Sequence, residues 1–438
     1  MPEAVSRGAW PTAVHLVARW LEHHDRIDAL VESMARNLPA TERARCQHLV
    51  FGVVRHFARI NAALTNLVAR PPRSVTRAAL FVAGYELIEA SNASEDGATA
   101  KIIHHAVEQT KSLASPAEAR LVNAVGRKLA ASLTAPPPPK LAPAEILANY
   151  FSHPLWLVQR WLAQFGADAA RQLLEWNQKP ATIYARWRVE EPPPDFLRPT
   201  SWPSFFEVTG GHWSEVEGLL KSGKAYLQDP ATRLSVEQLA PEPGETVLDL
   251  CAAPGGKSLL IADTIKTGKV VAVDLPESVD RPGPRIERLK ENLARVRGVE
   301  VALVQASVLE DLGHQLRANH ALPENFSAVL LDVPCSNTGV MRHRADVRWR
   351  LDPRDFSKHA SQQLALLQAA SRRVKAGGRL VYSTCSIDAE ENERVVEAFL
   401  GSGAGQAFRL ARSNVSFPWT NGHDGAAAYL LKKMLPNG

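Results

Sequence analysis

The chain has 438 residues, 45% of them hydrophobic and 22% charged, with 51 basic against 46 acidic residues for a net charge of +5. That length predicts two to four domains at roughly 100 to 200 residues each, and the composition excludes a disordered, collagen-like or low-complexity protein. Cys46, Cys251, Cys335 and Cys385 are too few for a disulfide framework and form no C-x-x-C pair, so free thiols in a reducing cytoplasm and no metal cluster are expected.

The N-terminus, MPEAVSRGAWPTAVHLVARWLEHH, breaks its apolar periodicity with Arg19, Glu22 and two histidines, unlike a signal peptide. No run of about 18 apolar residues is present to span a membrane. Residues 1 to 133 read as helices, with apolar positions at three and four spacing (Val14, Val17, Leu21; Val50, Val53, Val54, Phe57). Within them, seven arginines (Arg43, Arg45, Arg55, Arg59, Arg70, Arg73, Arg77) fall between Arg43 and Tyr85 without one Asp or Glu, a basic surface suited to an anionic partner. The bland alternative is a solvated helical face with counter-charges from elsewhere in the fold.

Residues 134–143, TAPPPPKLAP, hold four consecutive prolines that cannot continue a helix, which marks a linker. Ala144 to Asn177 is helical again. Short strand-like runs, Thr182 to Val189 and Phe205 to Val208, then alternate with Pro-rich turns in a small α+β module. From Thr246 the apolar runs TVLDL, KVVAVDL, VEVALVQA, FSAVLLDV and GRLVYST are separated by helical stretches such as Arg285 to Val296 and Ser361 to Lys375. Near-continuous apolar strands joined by helices predict a parallel sheet covered on both faces, with ligands at the carboxyl ends of its strands.

The first of those strands runs into LDLCAAPGGKS, Leu248 to Ser258. Gly256-Lys257-Ser258 would end a phosphate-binding loop, but Cys251 stands where its leading glycine must be, and no G-x-G-x-x-G is present. What remains is an acid, Asp249, a glycine turn, and a second strand ending in Asp274 about 20 residues on, placed for a ribose diol. An adenosine without a pyrophosphate fits this best, either S-adenosylmethionine or another nucleotide. DVPCS (Asp332, Pro334, Cys335) and STCS (Thr384, Cys385, Ser386) follow at strand ends. A lone buried Cys is usually a small core residue. Two at the ligand-binding edge of one sheet are candidate nucleophiles, because a thiolate attacks electron-poor carbon well.

In this order and spacing, LDLCAAPGGK, VDL, DVPCS and STCS resemble the motifs of RNA cytosine-5 methyltransferases of the NOL1/NOP2/Sun family. QHLVFGVVRHFARINAALTNLVARPP and LVNAVGRKL are similar to a NusB-like RNA-binding domain. NYFSHPLWLVQRWLAQFG with NQKP, GVMRHRADVRWRLD and HDGAAAYLLKK are similar to further segments of that family's bacterial small-subunit ribosomal RNA members. The implied layout is an all-α NusB-like bundle (1–133), the linker (134–143), a small α+β subdomain (144–240) and a Rossmann-like α/β methyltransferase domain (241–438).

The implied reaction moves a methyl group from S-adenosylmethionine to carbon 5 of a cytosine in small-subunit (16S) ribosomal RNA. Spacing alone does not assign the two thiols. The resemblance implies Cys385 as the nucleophile at carbon 6 and Cys335 as the aid to product release, whereas DNA cytosine-5 enzymes attack with the Cys of their PC motif. Asp332 would hydrogen-bond the base and border the cofactor. Cys251, Ala252, Ala253, Pro254, Gly255, Gly256 and Lys257 would hold the cofactor, with Asp274 on its ribose and Ser307 where an acid is usual. Gln228 and Asp229 of LQDPATRL match a family stretch whose following serine is replaced, and SNASEDGATAK, 91–101, replaces a shorter turn.

Arg43, Arg45, Arg55 and Arg59 of the bundle, with Arg342, Arg344 and Arg348 after the PCS loop, are the expected RNA contacts. Neither a metal nor a membrane is expected, and the protein is expected to be a monomer. Two other readings compete: the same chemistry on transfer RNA or large-subunit RNA, and a non-catalytic RNA-binding assembly or antitermination factor. Retention of Cys335, Cys385, Lys257 and Asp274 together speaks against the second.

Overall fold

The computed structural model describes residues 8–33, 38–93, 97–277 and 284–435, so Ser94, Glu95 and Asp96 of the substituted loop lie outside the described residues. The chain folds as two compact units that do not follow chain order. One is Met1–Pro180 with Met341–Pro353; the other is Ala181–Val340 with Arg354–Gly438. Among the described residues no helix is long and apolar enough to cross a membrane.

The first unit is helical: α1 (Ala9–His23), α2 (Ile27–Glu32), α3 (Ala40–Leu67), α4 (Ser74–Ala93), α5 (Ala98–Leu113), α6 (Pro116–Leu133), α7 (Ala144–Tyr150) and α8 (Leu155–Gln178). The run Ala78 to Ala83 on α4 is buried on every side, so this helix takes the centre and packs against α1, α3, α5 and α6. Helix α6 starts where Ser115 accepts the Glu118 N–H and Pro116 supplies a preset φ. The helices 144–178, which the sequence groups with the α+β module, belong to this unit instead. So does the segment 341–353, which contributes Ala345 to the bundle core and packs Trp349, on the one-turn helix α14 (Val347–Arg350), against it.

The second unit opens with a four-stranded antiparallel sheet in the order β2-β3-β1-β4: β1 (Tyr184–Trp187), β2 (Leu197–Pro199), β3 (Phe205–Val208) and β4 (Ala225–Leu227), with α9 (Trp213–Lys221). After α10 (Arg233–Leu239) come β5 (Thr246–Leu250), α11 (Gly256–Ile265), β6 (Lys269–Asp274), α12 (Arg285–Leu293), β7 (Glu300–Gln305), α13 (Leu312–His320), β8 (Phe326–Asp332), α15 (Asp355–Ser371) and β9 (Val374–Thr384). These five strands pair in parallel, each where an apolar run is expected. The sheet has seven strands, however, in the order β10-β11-β9-β8-β5-β6-β7. After α16 (Glu393–Leu400), the pair β10 (Phe408–Ser416) and β11 (Ala426–Lys433), joined through the short α17 (Pro418–Asn421), places β11 antiparallel to β9. The sheet is therefore mixed, because a short connection can only return a strand antiparallel.

Candidate active site

The glycine turn sits between the end of β5 and the start of α11. Gly255 has φ +104°, and a Cβ there would lie 2.9 Å from Leu289 Cδ1. At Gly256 a Cβ would lie 3.0 Å from the Tyr226 ring and 3.1 Å from Gln228 Nε2, so two residues ahead of β5 close the wall opposite the turn. Between them opens a cleft of about 630 Å³, lined in part by Cys251, Ala252, Ala253, Pro254, Gly256 and Lys257. Asp249 lies at its base, fully buried, with Ser258 Oγ donating to Oδ2 and no partner for Oδ1. Burial pushes its carboxyl up to about 7.

Asp274 ends β6, and its carboxylate accepts Ala253 N–H and Leu275 N–H, each at 2.8 Å, so it braces the turn while keeping further lone pairs. Ser307 is half-buried and accepts Leu309 N–H at 3.2 Å; neither Asp274 nor Ser307 lies on the cleft wall itself. The unpartnered Oδ1 of Asp249 and the acceptor-rich wall fit a ligand carrying amino and hydroxyl donors.

Strands β8 and β9 are parallel neighbours with Asp332 opposite Ser383, so the loops after them emerge side by side. Cys335 and Cys385, 50 residues apart in sequence, come to 3.1 Å between sulfurs. Cys385 lines a second pocket, of about 350 Å³, together with Lys257, Asp332, Asp229 and Asp424. Lys257 Nζ donates to Asp332 Oδ2 at 2.7 Å, while Ser383 Oγ donates to Oδ1 at 2.8 Å. Lys257 and Asp332 line both pockets and so join them. The hydrogen bond to Cys385, and then burial, push the Cys335 thiol far above its usual range. Asp332, together with Cys385 and Asp249, more than offsets burial at Lys257, whose ammonium is held above its ordinary pKa. The third site cysteine, Cys251, is pushed up by burial and by the Asp274 charge, which makes it an inert wall residue.

Behind the thiols lies a polar network that the sequence motifs do not announce. Glu391, fully buried, accepts Ser336 N–H at 2.9 Å, Ser336 Oγ, and Gln363 Nε2 at 3.0 Å; that amide also donates to Pro334 O at 2.9 Å. Thr338 Oγ1 donates to Asp388 at 2.7 Å. Gly339 N–H donates to Cys385 O at 3.0 Å, and Gly425 N–H donates to Gly339 O at 2.8 Å. Three loops distant in sequence are thereby fixed to one another, and the position of both sulfurs with them.

Two segments of the chain match known families. The family model described as 16S rRNA methyltransferase RsmB/F matches residues 236–425, and the NusB family model matches residues 7–131. Residues 236–425 form an RsmB/F methyltransferase domain, preceded by a NusB domain. Ribosomal RNA small subunit methyltransferase B of Yersinia pseudotuberculosis is 29% identical over 403 residues, 89% of each chain. Among solved structures, PH0851 superposes with a TM-score of 0.73 at 22% identity, over 98% of this chain and 100% of its own. NSun6 from Pyrococcus horikoshii, crystallised with SFG, superposes with a TM-score of 0.53 at 18% identity over 65% of this chain and 99% of its own. These two likenesses concern the fold.

The arginines expected to meet RNA divide sharply. Arg43 and Arg45 of the NusB domain and Arg344 of the RsmB/F domain are exposed. Arg59 is half-buried, donates to Leu133 O at 2.6 Å and lies 4.1 Å over the Tyr150 ring. Arg55, Arg342 and Arg348 are buried, which corrects their reading as phosphate contacts. Arg55 donates to Arg342 O at 3.1 Å, and Arg342 stacks 4.2 Å over Trp176. Arg348 has no exposed surface and donates to the carbonyls of Ser152, Asn177 and Met341 at 3.2 to 3.3 Å. Guanidinium donors committed to backbone carbonyls in a closed interior have no access to phosphate. Burial lowers the Arg348 pKa to about 9.

Proposed function

We propose that the protein is an S-adenosylmethionine-dependent methyltransferase that modifies carbon 5 of a cytosine in small-subunit (16S) ribosomal RNA through a covalent bond to Cys385. The observation that carries this reading is the pair of thiols at 3.1 Å, with Cys385 facing the pocket that Lys257 and Asp332 share with the larger cleft. The substrate class follows the RsmB/F domain, the NusB domain and the Yersinia relative. Residues 251–257 with Asp249 would hold S-adenosylmethionine, which supplies an electrophilic methyl group, while Asp274 behind the wall braces the turn.

Carbon 5 of cytosine is a weak nucleophile. Addition of the Cys385 thiolate at carbon 6 pushes electron density onto carbon 5, which can then accept a methyl group. Lys257 lines the same pocket as Cys385 and brings its ammonium charge to the wall where the base would react. Asp332, held between Lys257 and Ser383, would accept from the exocyclic amine of the base, and from ring nitrogen 3 once that nitrogen carries a proton. Once the base is methylated, a general base, water included, takes the carbon 5 proton, the C–H electron pair restores the carbon 5–carbon 6 double bond, and the carbon–sulfur pair leaves with Cys385 as thiolate. Cys335 keeps its proton across the working pH range and donates it toward Cys385 Sγ, which steadies the departing thiolate.

The test is transfer of labelled methyl to unmethylated 16S ribosomal RNA, with products mapped by bisulfite sequencing. Cys385→Ala should be inactive, and Cys335→Ala should accumulate a covalent protein–RNA adduct. An active Cys385→Ala would end the assignment of the nucleophile, and methylation of transfer RNA alone would end the assignment of the substrate.

A further inference from the structure

We propose that the outer edge of the seven-stranded sheet, β10 with the end of β11, is a track for the sugar-phosphate backbone of the RNA strand that delivers the target base. This rests on the RNA-methylating reading above.

Strand β10 is an edge strand, and residues 409–414 are exposed along it. Its pairing with β11 is interrupted: Arg409 lies opposite Lys432 and Leu410 opposite Leu431, but Arg412 lies opposite Leu430. Ala411 is therefore the extra residue of a bulge. In a regular strand Arg409 and Arg412, three apart, would point to opposite faces. Opposed residues in an antiparallel ladder share a face, and Leu430 and Lys432 are two apart, so the bulge turns Arg409, Arg412 and Lys432 onto one side.

Among the described residues these three side chains make no ion pair or hydrogen bond. No Asp or Glu occurs between Ala398 and His423 to neutralise them. Further in on the same row, Arg379 lies opposite Lys432 but is consumed by Glu245 at 2.6 and 3.0 Å. The free positive charge is thus confined to the edge.

The strand pair leads toward the reaction pocket, with β10 exposed as far as Asn414 while Leu430 and Ala428 beside it on β11 are buried. Asn414 lies opposite Ala428 and Ser416 opposite Ala426, and Ala426 lines the pocket beside Cys385. From Lys432 to Ala426 the strand covers about 20 Å at roughly 3.3 Å per residue. Three unpaired cations at the edge, the last of them about 13 Å along the strand from the residue that lines the Cys385 pocket, fit a single strand whose backbone follows the edge and whose base turns in. Charges that merely guard an edge against strand pairing need no common face.

The test uses the full chain and unmethylated 16S ribosomal RNA as the probe, with binding measured across a salt series and methyl transfer measured beside it. The triple variant R409Q/R412Q/K432Q should bind about 10-fold or more weakly, with a salt slope shallower by about 2, at roughly 0.7 per phosphate contact on a single strand. Its KM for RNA should rise while kcat at saturating RNA holds. The control K179Q/K221Q/K266Q, three exposed lysines elsewhere, should leave the slope in place. An unchanged slope in the triple variant overturns the track, as does an equal loss in the control. So does self-association of the triple variant with RNA affinity intact, which would make the charges an edge guard. Failure of the unmodified protein to bind this RNA would remove the RNA reading itself, and the track with it.

Discussion

Glu391 offers a direct test of how the two sulfurs are positioned, because it touches neither. Its carboxylate satisfies the Ser336 N–H next to Cys335 and one N–H of Gln363, while Tyr382 OH donates to its backbone carbonyl at 2.6 Å. In Glu391→Ala the Ser336 hydroxyl can rotate and the Gln363 amide keeps Pro334 O, but the Ser336 N–H is fixed by the backbone and loses its partner in a dry site. Two buried N–H donors left without Glu391, one on the fixed Ser336 backbone and one on the Gln363 amide, which can re-aim, together with the void left by the side chain cost about 2 to 4 kcal/mol. That cost falls on opening of the Pro334–Thr338 loop. Amide exchange at Ser336 and Gly339 should therefore run about 30- to 1,000-fold faster. Methyl transfer should fall about 100-fold, since a sulfur displaced by about 1 Å loses its line of attack. Glu391→Gln keeps an oxygen for both N–H donors and should exchange within about 10-fold of the unmodified protein. Unchanged exchange in Glu391→Ala, read by mass spectrometry on the peptide spanning Cys335, would refute the idea that this carboxylate holds the loop.

Three further outcomes are expected. Arg348→Ala should lower the stability of the helical unit by about 3 kcal/mol through orphaned carbonyls and a void, whereas Arg344→Gln should leave thermal unfolding unchanged and weaken RNA binding. Asp249 carries a carboxyl raised to about 7, so the folded state binds its proton more tightly than the unfolded state does; its contribution is complete below about pH 4 and is lost as pH rises through 7. Asp249→Asn should accordingly flatten the fall in melting temperature between pH 5 and 8, and an unaltered pH profile would count against that assignment. Gly255→Ala combines a positive φ with a close approach to Leu289 and should destabilise the fold. Gly256→Ala meets only the Tyr226 ring and the Gln228 amide, and should chiefly weaken binding of S-adenosylmethionine, as read by calorimetry.

The sequence by itself determined the five parallel strands, since a strand buried on both faces must be apolar throughout, and runs such as KVVAVD and FSAVLLD can serve little else. It also determined the glycine turn between β5 and α11, because only glycine tolerates that φ and that close wall. It did not disclose β10, whose FRLARSNVS is exposed at an edge and carries no burial signature.

Tertiary structure alone decided which distant residues meet. A 50-residue separation says nothing of a 3.1 Å contact between Cys335 and Cys385, and the register of β8 against β9 creates it. Asp229 and Asp424 reach the pocket from the two ends of the unit's sequence, and Glu391 enters behind the thiols from a turn after β9. The arginines show the limit most plainly. A guanidinium bound to helix-end carbonyls and one facing solvent are written with the same letter, so Arg348 and Arg344 differ only in where the fold points them.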